Sequence, residues 1–219
     1  MLLQEISPGV FTIEIDGQRR LATFSPDPVP VYGERIIDGY RIWDPFRSKL
    51  AALLQKGKGR GLSLSRDSKV LYLGAATGTT VSHVSDIASG GMIYAVEFSP
   101  RSMRDLLPLC ERRKNIIPIL ADAARPESYS SLVEPVDLVY QDVAQRNQAE
   151  IASLNSDLYL RPEGDLIMMV KTRSIDVTAA PQAVFRAEVR ELKGLDLVES
   201  VDLLPFHQDH WAVTARKSI

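Results

Sequence analysis

Apolar and polar positions alternate along FTIEI, an Asp16-Gly17 pair follows, and RRLATF resumes the alternation, so Val10 to Phe24 predicts a β-hairpin with a two-residue turn. Pro26, Pro28 and Pro30 then interrupt regular structure. Phe46, Leu50, Leu53 and Leu54 recur at helical spacing, which predicts an amphipathic, basic helix from Pro45 to Gln55. The stretch KGKGRG, Lys56 to Gly61, reads as a link between a small β-rich N-terminal domain with its helix (residues 1–55) and a larger domain (residues 56–219).

Beyond the link, short apolar runs alternate with helical stretches. VLYL precedes VSHVSDIA, MIYAVEF precedes RSMRDLLPLCERR, IIPILA precedes PESYSSLVE, VDLVYQ precedes NQAEIASLNSDLYL, and DLIMMV precedes PQAVFRAEVREL. Such alternation specifies an α/β fold, a parallel sheet wound with helices. Pro181 at a helix start and Gly194 past its end fit the asymmetry of helix termini. The last two runs, LDLVESVDLL and WAVTA, are separated only by PFHQDH, too short for a helical crossover, so they are expected to pair antiparallel. The expectation is a seven-stranded, mostly parallel sheet whose final strand is antiparallel.

Composition narrows the class. With 219 residues, 45% of them hydrophobic, the chain can fill the core of one mid-sized domain with a small appendage. The single cysteine, Cys110, lies among Leu106, Leu107 and Leu109 and reads as a small buried hydrophobe in a reducing compartment. No apolar run approaches the roughly 20 residues that cross a bilayer, and MLLQEISPG lacks the features of a signal peptide. A cytoplasmic protein with no membrane partner is expected. The net charge of −2 argues against a free-standing nucleic-acid binder. Basic residues nonetheless gather from Arg41 to Lys69 (Arg41, Arg47, Lys49, Lys56, Lys58, Arg60, Arg66, Lys69) and again at Arg112, Arg113 and Lys114; the plain alternative for both is a solvated surface.

The loop VLYLGAATGTT carries the first chemical signal. Gly74 closes a predicted strand, where ligands bind in wound sheets. The spacing Gly74-x-x-x-Gly78 is neither the three-glycine dinucleotide fingerprint nor a phosphate-binding P-loop, so a pyrophosphate is disfavoured and a tight turn without ligand is the alternative. Glu97 closes the next strand, 19 residues after Gly78, near the offset at which an acid accepts hydrogen bonds from a ribose. Asp122 and Asp142 follow the third and fourth strands. Each carboxylate alone could cap a helix; together at equivalent strand ends they point to a nucleoside. S-adenosylmethionine meets the description of a ligand with ribose and base but no phosphate.

The segments YGERIIDGYRIWDPFRSKLAA, VLYLGAATGTTVSHVSD, YAVEFSPR, RRKNIIPILADA, DVAQ and VKTRSIDVT together closely resemble fibrillarin, above all its archaeal form, over about Val10 to Arg216. The resemblance implies a Rossmann-like S-adenosylmethionine-dependent methyltransferase domain, the catalytic subunit of the box C/D guide-RNA particle, which methylates ribose 2′-hydroxyls of ribosomal and sometimes transfer RNA. It implies a Nop-domain scaffold protein, a kink-turn-binding ribosomal protein, a guide RNA and a target RNA as partners. It assigns the cofactor to the glycine loop (Gly74, Ala76, Gly78, Thr79, Thr80), Glu97 with Phe98, Asp122 with Ala123, and Asp142, Val143, Ala144 and Gln145. Glu97 would hold the ribose and Phe98 the adenine face.

The same resemblance implies a catalytic set of Lys49, Asp142, Lys171 and His210, with no metal. Lys171 is expected as base or as stabiliser of the developing alkoxide, oriented by Asp142. For Lys49 and His210 the alternatives are a helix-surface lysine and a capping or edge-strand histidine. Arg47, Lys49, Arg173 and Ser174 would face RNA. Three departures stand out: no Gly/Arg-rich tail of the eukaryotic kind, Tyr72 where many methyltransferases carry an acid, and Arg146 where the family pattern has proline. Rival readings are a stand-alone RNA or protein-glutamine methyltransferase, a nicotinamide-dependent dehydrogenase disfavoured by the missing third glycine, and a silent scaffold disfavoured by the presence of Lys171 and Asp142.

Overall fold

Two sheets make up the chain. The computed structural model describes residues 3–25, 27, 29–59 and 61–218; Met1, Leu2, Pro26, Pro28, Arg60 and Ile219 lie outside the described residues. The first sheet is antiparallel, ordered β1 (Leu3–Ser7), β2 (Val10–Ile15), β3 (Gln18–Phe24), β5 (Tyr40–Trp43) and β4 (Ile36–Ile37). The predicted hairpin is β2–β3. Asp16 and Gly17 both take positive φ, 52° and 72°, the combination that matches the twist of the flanking strands. Strands β1, β4 and β5 were not legible in the pattern: LQEIS and YRIW are short and gain partners only beside β2 and β3.

The helix α1 (Lys49–Gln55) begins four residues later than its spacing predicts. Asp44 bends the chain first: its carboxylate accepts the Phe46 N–H at 2.9 Å and its carbonyl accepts those of Arg47 and Ser48. Ser48 then caps the helix by accepting from the Ala51 N–H. Phe46 is therefore 62% exposed and not part of the buried helical face.

The second sheet is ordered β11-β12-β10-β9-β6-β7-β8. Its strands are β6 (Lys69–Leu73), β7 (Met92–Glu97), β8 (Ile116–Leu120), β9 (Val136–Gln141), β10 (Leu160–Lys171), β11 (Leu195–Asp202) and β12 (His210–Lys217). The helices are α2 (Thr79–Ile87), α3 (Pro100–Arg112), α4 (Gln148–Tyr159), the single turn α5 (Thr172–Ile175) and α6 (Pro181–Arg190). The last two strands pair antiparallel as expected, but β12 enters the sheet between β10 and β11 and runs against both. PESYSSLVE forms only a 3₁₀ turn over Pro126–Tyr129, because the Ser128 and Ser130 hydroxyls donate back to the carbonyls of Arg125 and Glu127.

Strand order reverses between β6 and β9, so the carboxyl ends of those two strands form the crevice of the sheet. One face of the sheet packs Val70, Tyr72, Ile167 and Met169 against α1, α2 and α3, with Leu21 and Trp43 of the first sheet in the same core. The other face packs Leu71, Val139 and Met168 against Ile151 and Phe185 of α4 and α6. Cys110 is buried, as expected.

A buried ionic network joins the first sheet to α2 and the end of α3. Arg41, fully buried, bonds Glu34, Asp86 and Ser82, and Arg113 bonds Asp86 and Ser25. His83 lies inside it between Thr23 and Tyr32 at 2.7 Å on each side. Thr23 gives its only proton to Asp86, so the His83 Nδ1–H donates to Thr23 and its Nε2 accepts from Tyr32. Arg41 and Arg113, basic residues that a linear reading places on solvated runs, are thus interior. Lys58 and Lys69 are paired with Glu199 and Glu134.

Candidate active site

Three adjacent strands end on one face. Tyr140, Met169 and Ala212 belong to the same core, and side chains alternate along strands, so Asp142, Lys171 and His210 project toward α1 from β9, β10 and β12. Lys171 and His210 are direct cross-strand partners. From the facing helix, the Lys49 ammonium donates to both carboxylate oxygens of Asp142, at 2.8 and 2.7 Å. The structure thus assembles the four predicted catalytic residues, with one correction: Asp142 is held by Lys49 and not by Lys171. The Lys171 ammonium has no hydrogen-bond or ion-pair partner among the described residues.

Both histidines of the neighbouring loop are tuned toward the neutral form. Burial and then the Lys49 charge lower the proton affinity of His207; at His210 burial again leads, opposed by the Gln208 carbonyl and reinforced by Lys49. The His210 Nδ1 lies 2.6 Å from the Gln208 carbonyl, which can only accept, so Nδ1 carries the proton and Nε2 presents a lone pair. His207 donates from Nε2 to the Pro45 carbonyl at 2.8 Å, and Phe206 packs edge-on against Phe46 with ring centroids 5.2 Å apart. These contacts tie the loop before β12 to the turn before α1.

Beside this constellation opens a cleft of about 310 Å³ lined by Gly74, Ala76, Glu97, Phe98, Ala121, Ala123, Asp142, Val143, Ala144 and Gln145. Gly74 has φ +84°, and a Cβ there would stand 2.4 Å from the Asp142 carbonyl oxygen, so only glycine lets the two strand ends approach. Glu97 is nearly buried; one carboxylate oxygen accepts from the Ala76 N–H and the other from the Ser99 N–H, each at 2.7 Å. A carboxylate has about four lone-pair sites, so the oxygens so oriented retain capacity for hydroxyl donors. Asp122 accepts from the Gln145 side chain and the Ala124 N–H. Phe98 stands at the rim, 67% exposed.

The remaining predicted residues fall elsewhere. Gly78 has φ +93°, and a Cβ there would press on Leu106 and Leu109, so it serves the packing of α2 on α3. Thr79 and Thr80 open α2 without lining the cleft; the Thr80 hydroxyl is buried and donates to Ser48. Arg173 is engaged by Asp209 at 3.0 Å and by the Val177 carbonyl, and Ser174 lies beside it in α5. Arg47 is exposed, 4.8 Å above the Tyr32 ring.

Sequence reasoning missed Gln148. Fully buried, it accepts from the Lys171 N–H at 3.0 Å and donates to the carbonyls of Lys171 and Gln145, bracing both the end of β10 and the loop that lines the cleft. Nothing in the run NQAE separates it from an ordinary first-turn residue.

The fibrillarin family profile matches residues 3–219. The chain belongs to the fibrillarin family. It is 59% identical to the fibrillarin-like rRNA/tRNA 2′-O-methyltransferase of Methanothrix thermoacetophila over 98% of this chain and 99% of that protein. Among solved structures, the Methanococcus jannaschii fibrillarin pre-rRNA processing protein superposes with a TM-score of 0.93 at 44% identity, covering 99% of this chain and 97% of that one. A fibrillarin crystallised as a complex with Nop5p gives 0.90 at 46% identity (98% and 100% covered), and Aeropyrum pernix fibrillarin with natively bound S-adenosyl-L-methionine gives 0.87 at 45% (98% and 99%). These likenesses span both sheets, so the first sheet is part of the family architecture. No helix among the described residues is long and apolar enough to cross a membrane.

Proposed function

We propose that the chain is an S-adenosylmethionine-dependent RNA ribose 2′-O-methyltransferase, the catalytic subunit of a box C/D guide-RNA particle acting on ribosomal and transfer RNA in the archaeal cytoplasm. The observation that carries this reading is the convergence of Lys49, Lys171 and His210 with Asp142, which itself lines the cleft that holds Glu97. The cleft residues fit the cofactor: Glu97 is aimed by two backbone donors, and Gly74 lets the Asp142 strand end close against the glycine loop. When bound, S-adenosylmethionine supplies an electrophilic methyl group.

The chain's own residues supply alignment and proton handling. Glu97 would hold the ribose hydroxyls, Phe98 would cover the base, and Asp122 with Gln145 would serve the base edge. Holding reactants in line is worth roughly 7–11 kcal/mol of barrier. His210 Nε2 accepts the 2′-hydroxyl proton, a role that its fixed tautomer and neutral state suit, and the unpaired Lys171 ammonium stabilises the alkoxide. Lys49 neutralises Asp142 and fixes its orientation. Arg47 and Ser174 meet the RNA, with Arg173 beside them.

The net charge of −2 supports delivery to RNA by partners: a Nop-domain scaffold protein, as in the Nop5p complex of the related fibrillarin, a kink-turn-binding ribosomal protein and a guide RNA. The test is methyl transfer from labelled S-adenosylmethionine to a guide–target RNA pair, with and without those proteins. Transfer to one guide-selected ribose only in the full mixture supports the proposal. Transfer by the lone chain, or to protein, contradicts it.

A further inference from the structure

A cleft of about 610 Å³, larger than the cofactor cleft, lies between the first sheet and the turn that precedes α1. Four arginines from separate parts of the sequence line it: Arg19 and Arg20 from β3, Arg35 before β4, and Arg47 two residues before Lys49. All four are exposed. Phe46, 62% exposed, and Tyr32, under the Arg47 guanidinium, add aromatic surface.

The acids of this cleft are largely occupied. Glu34 is bound by the buried Arg41 and by the Val31 and Tyr32 N–H groups, which hold its carboxyl below the usual carboxylate range despite burial. Asp44 accepts from the Phe46 N–H. Asp16 reaches Arg35 only at 3.8 Å, with both side chains mostly in water, a contact of little energy. Arg47 donates one N–H to the Tyr32 carbonyl and keeps others free. The cleft is thus a concave surface of guanidinium groups beside the exposed ring of Phe46 and the half-buried ring of Tyr32, in a chain whose overall charge is negative. That combination suits a phosphodiester backbone with stacked bases.

We propose that this cleft holds the backbone of the RNA strand flanking the reacting ribose, with phosphates on Arg19, Arg20 and Arg35 and a base against Phe46. The proposal rests on the reading of the site as an RNA methyltransferase and extends it to the first sheet. Lys49 is tied to both clefts: Asp142, its ion-pair partner, lines one, and Arg47 and Phe46, two and three residues before it, line the other together with Phe206 of the loop that leads to His210. A strand lying along the arginines therefore leads to the 2′-hydroxyl position at Lys171 and His210.

The test compares two charge-matched triple variants of the full chain by anisotropy of a short fluorescein-labelled single-stranded RNA over a salt series. Arg19→Ala/Arg20→Ala/Arg35→Ala removes the cleft; Arg104→Ala/Arg186→Ala/Arg190→Ala removes three exposed arginines of α3 and α6. The cleft variant is expected to bind at least about tenfold more weakly, with a log K against log salt slope shallower by about 2, since each lost phosphate contact removes roughly 0.7–0.9. The control is expected to keep the wild-type slope. Phe46→Ala is expected to weaken binding about fivefold or more without changing the slope, because stacking releases no counterions.

Equal slopes in both triple variants would overturn the proposal, as would an unchanged RNA affinity with lost binding of the Nop-domain scaffold, which would make the cleft a protein contact. Calorimetry with S-adenosylmethionine and the melting temperature, both expected at wild-type values, show that the variants are folded. Because binding is read without chemistry, a particle that methylates no RNA would sink the transferase reading and leave the cleft result standing.

Discussion

The Lys49 ammonium grips both carboxylate oxygens of Asp142, 93 positions away in sequence, at 2.8 and 2.7 Å. This contact joins α1 to the end of β9 and leaves the Lys171 ammonium without a partner among the described residues. Lys49→Ala exposes an uncompensated carboxylate at the reaction centre. Methyl transfer by the assembled particle is expected to fall about 10²-fold or more, within the range typical for loss of a positioned polar group. Cofactor affinity measured by calorimetry is expected to change far less than the rate, because Lys49 reaches the cofactor cleft only through Asp142.

Glu97→Ala removes a charged acceptor held by two backbone donors. A hydrogen bond to a charged group is worth about 1.5–3 kcal/mol. Titration calorimetry should therefore show S-adenosylmethionine binding weakened by about 10- to 150-fold. Unchanged affinity would remove Glu97 from the ribose.

His210 predicts a pH dependence. Burial and the Lys49 charge lower its proton affinity, so the base is present at neutral pH and transfer declines on acidification below the ordinary histidine value of about 6.5. Single-turnover rates of the assembled particle across pH should show that limb, and His210→Ala should abolish it with a loss of about 10²–10⁴-fold in rate. Persistence of the limb in the variant would move the base elsewhere.

Gly74→Ala tests the wall of the cofactor cleft. At φ +84°, with a Cβ 2.4 Å from the Asp142 carbonyl oxygen, alanine must push the Asp142 loop outward. Both cofactor affinity and transfer are expected to fall, in contrast to Lys49→Ala, and calorimetry combined with the transfer assay separates the two patterns.

Stability rests in part on the network between the first sheet, α2 and the end of α3. Asp86 is fully buried at its carboxylate and bonds Arg41 and Arg113, so Asp86→Ala takes the close carboxylate partner from buried Arg113 and leaves Glu34 as the carboxylate partner of Arg41. A loss of about 3–5 kcal/mol is expected in urea unfolding. His83, kept neutral by burial and by Arg41 and Arg113, adds an acid-side dependence. Its folded proton affinity lies below the unfolded one, so its contribution is complete above about pH 6.5 and declines as pH falls below that value. His83→Gln should flatten this part of the stability profile.

The pattern of apolar runs carried the wound sheet, the β2–β3 hairpin and the antiparallel pairing of the last two strands, because each depends on local period and on the length of a connection. It also singled out Gly74, Glu97 and Asp142, which line one cleft, and Asp122, which bonds Gln145 of that cleft, because the strand ends of a wound sheet converge on its crevice. Tertiary structure alone decided which charges are free. Arg41 and Arg113 look like members of basic runs and are buried ion-pair partners; Arg19, Arg20, Arg35 and Arg47 look scattered and line one cleft. Gln148 and His207 gave no sequence signal, since their roles consist of hydrogen bonds to carbonyls at Lys171 and Pro45 that only the packed chain brings near. Periodicity is written residue by residue, whereas the pairing of a charge or a buried polar group depends on distances that exist only after the sheets have docked.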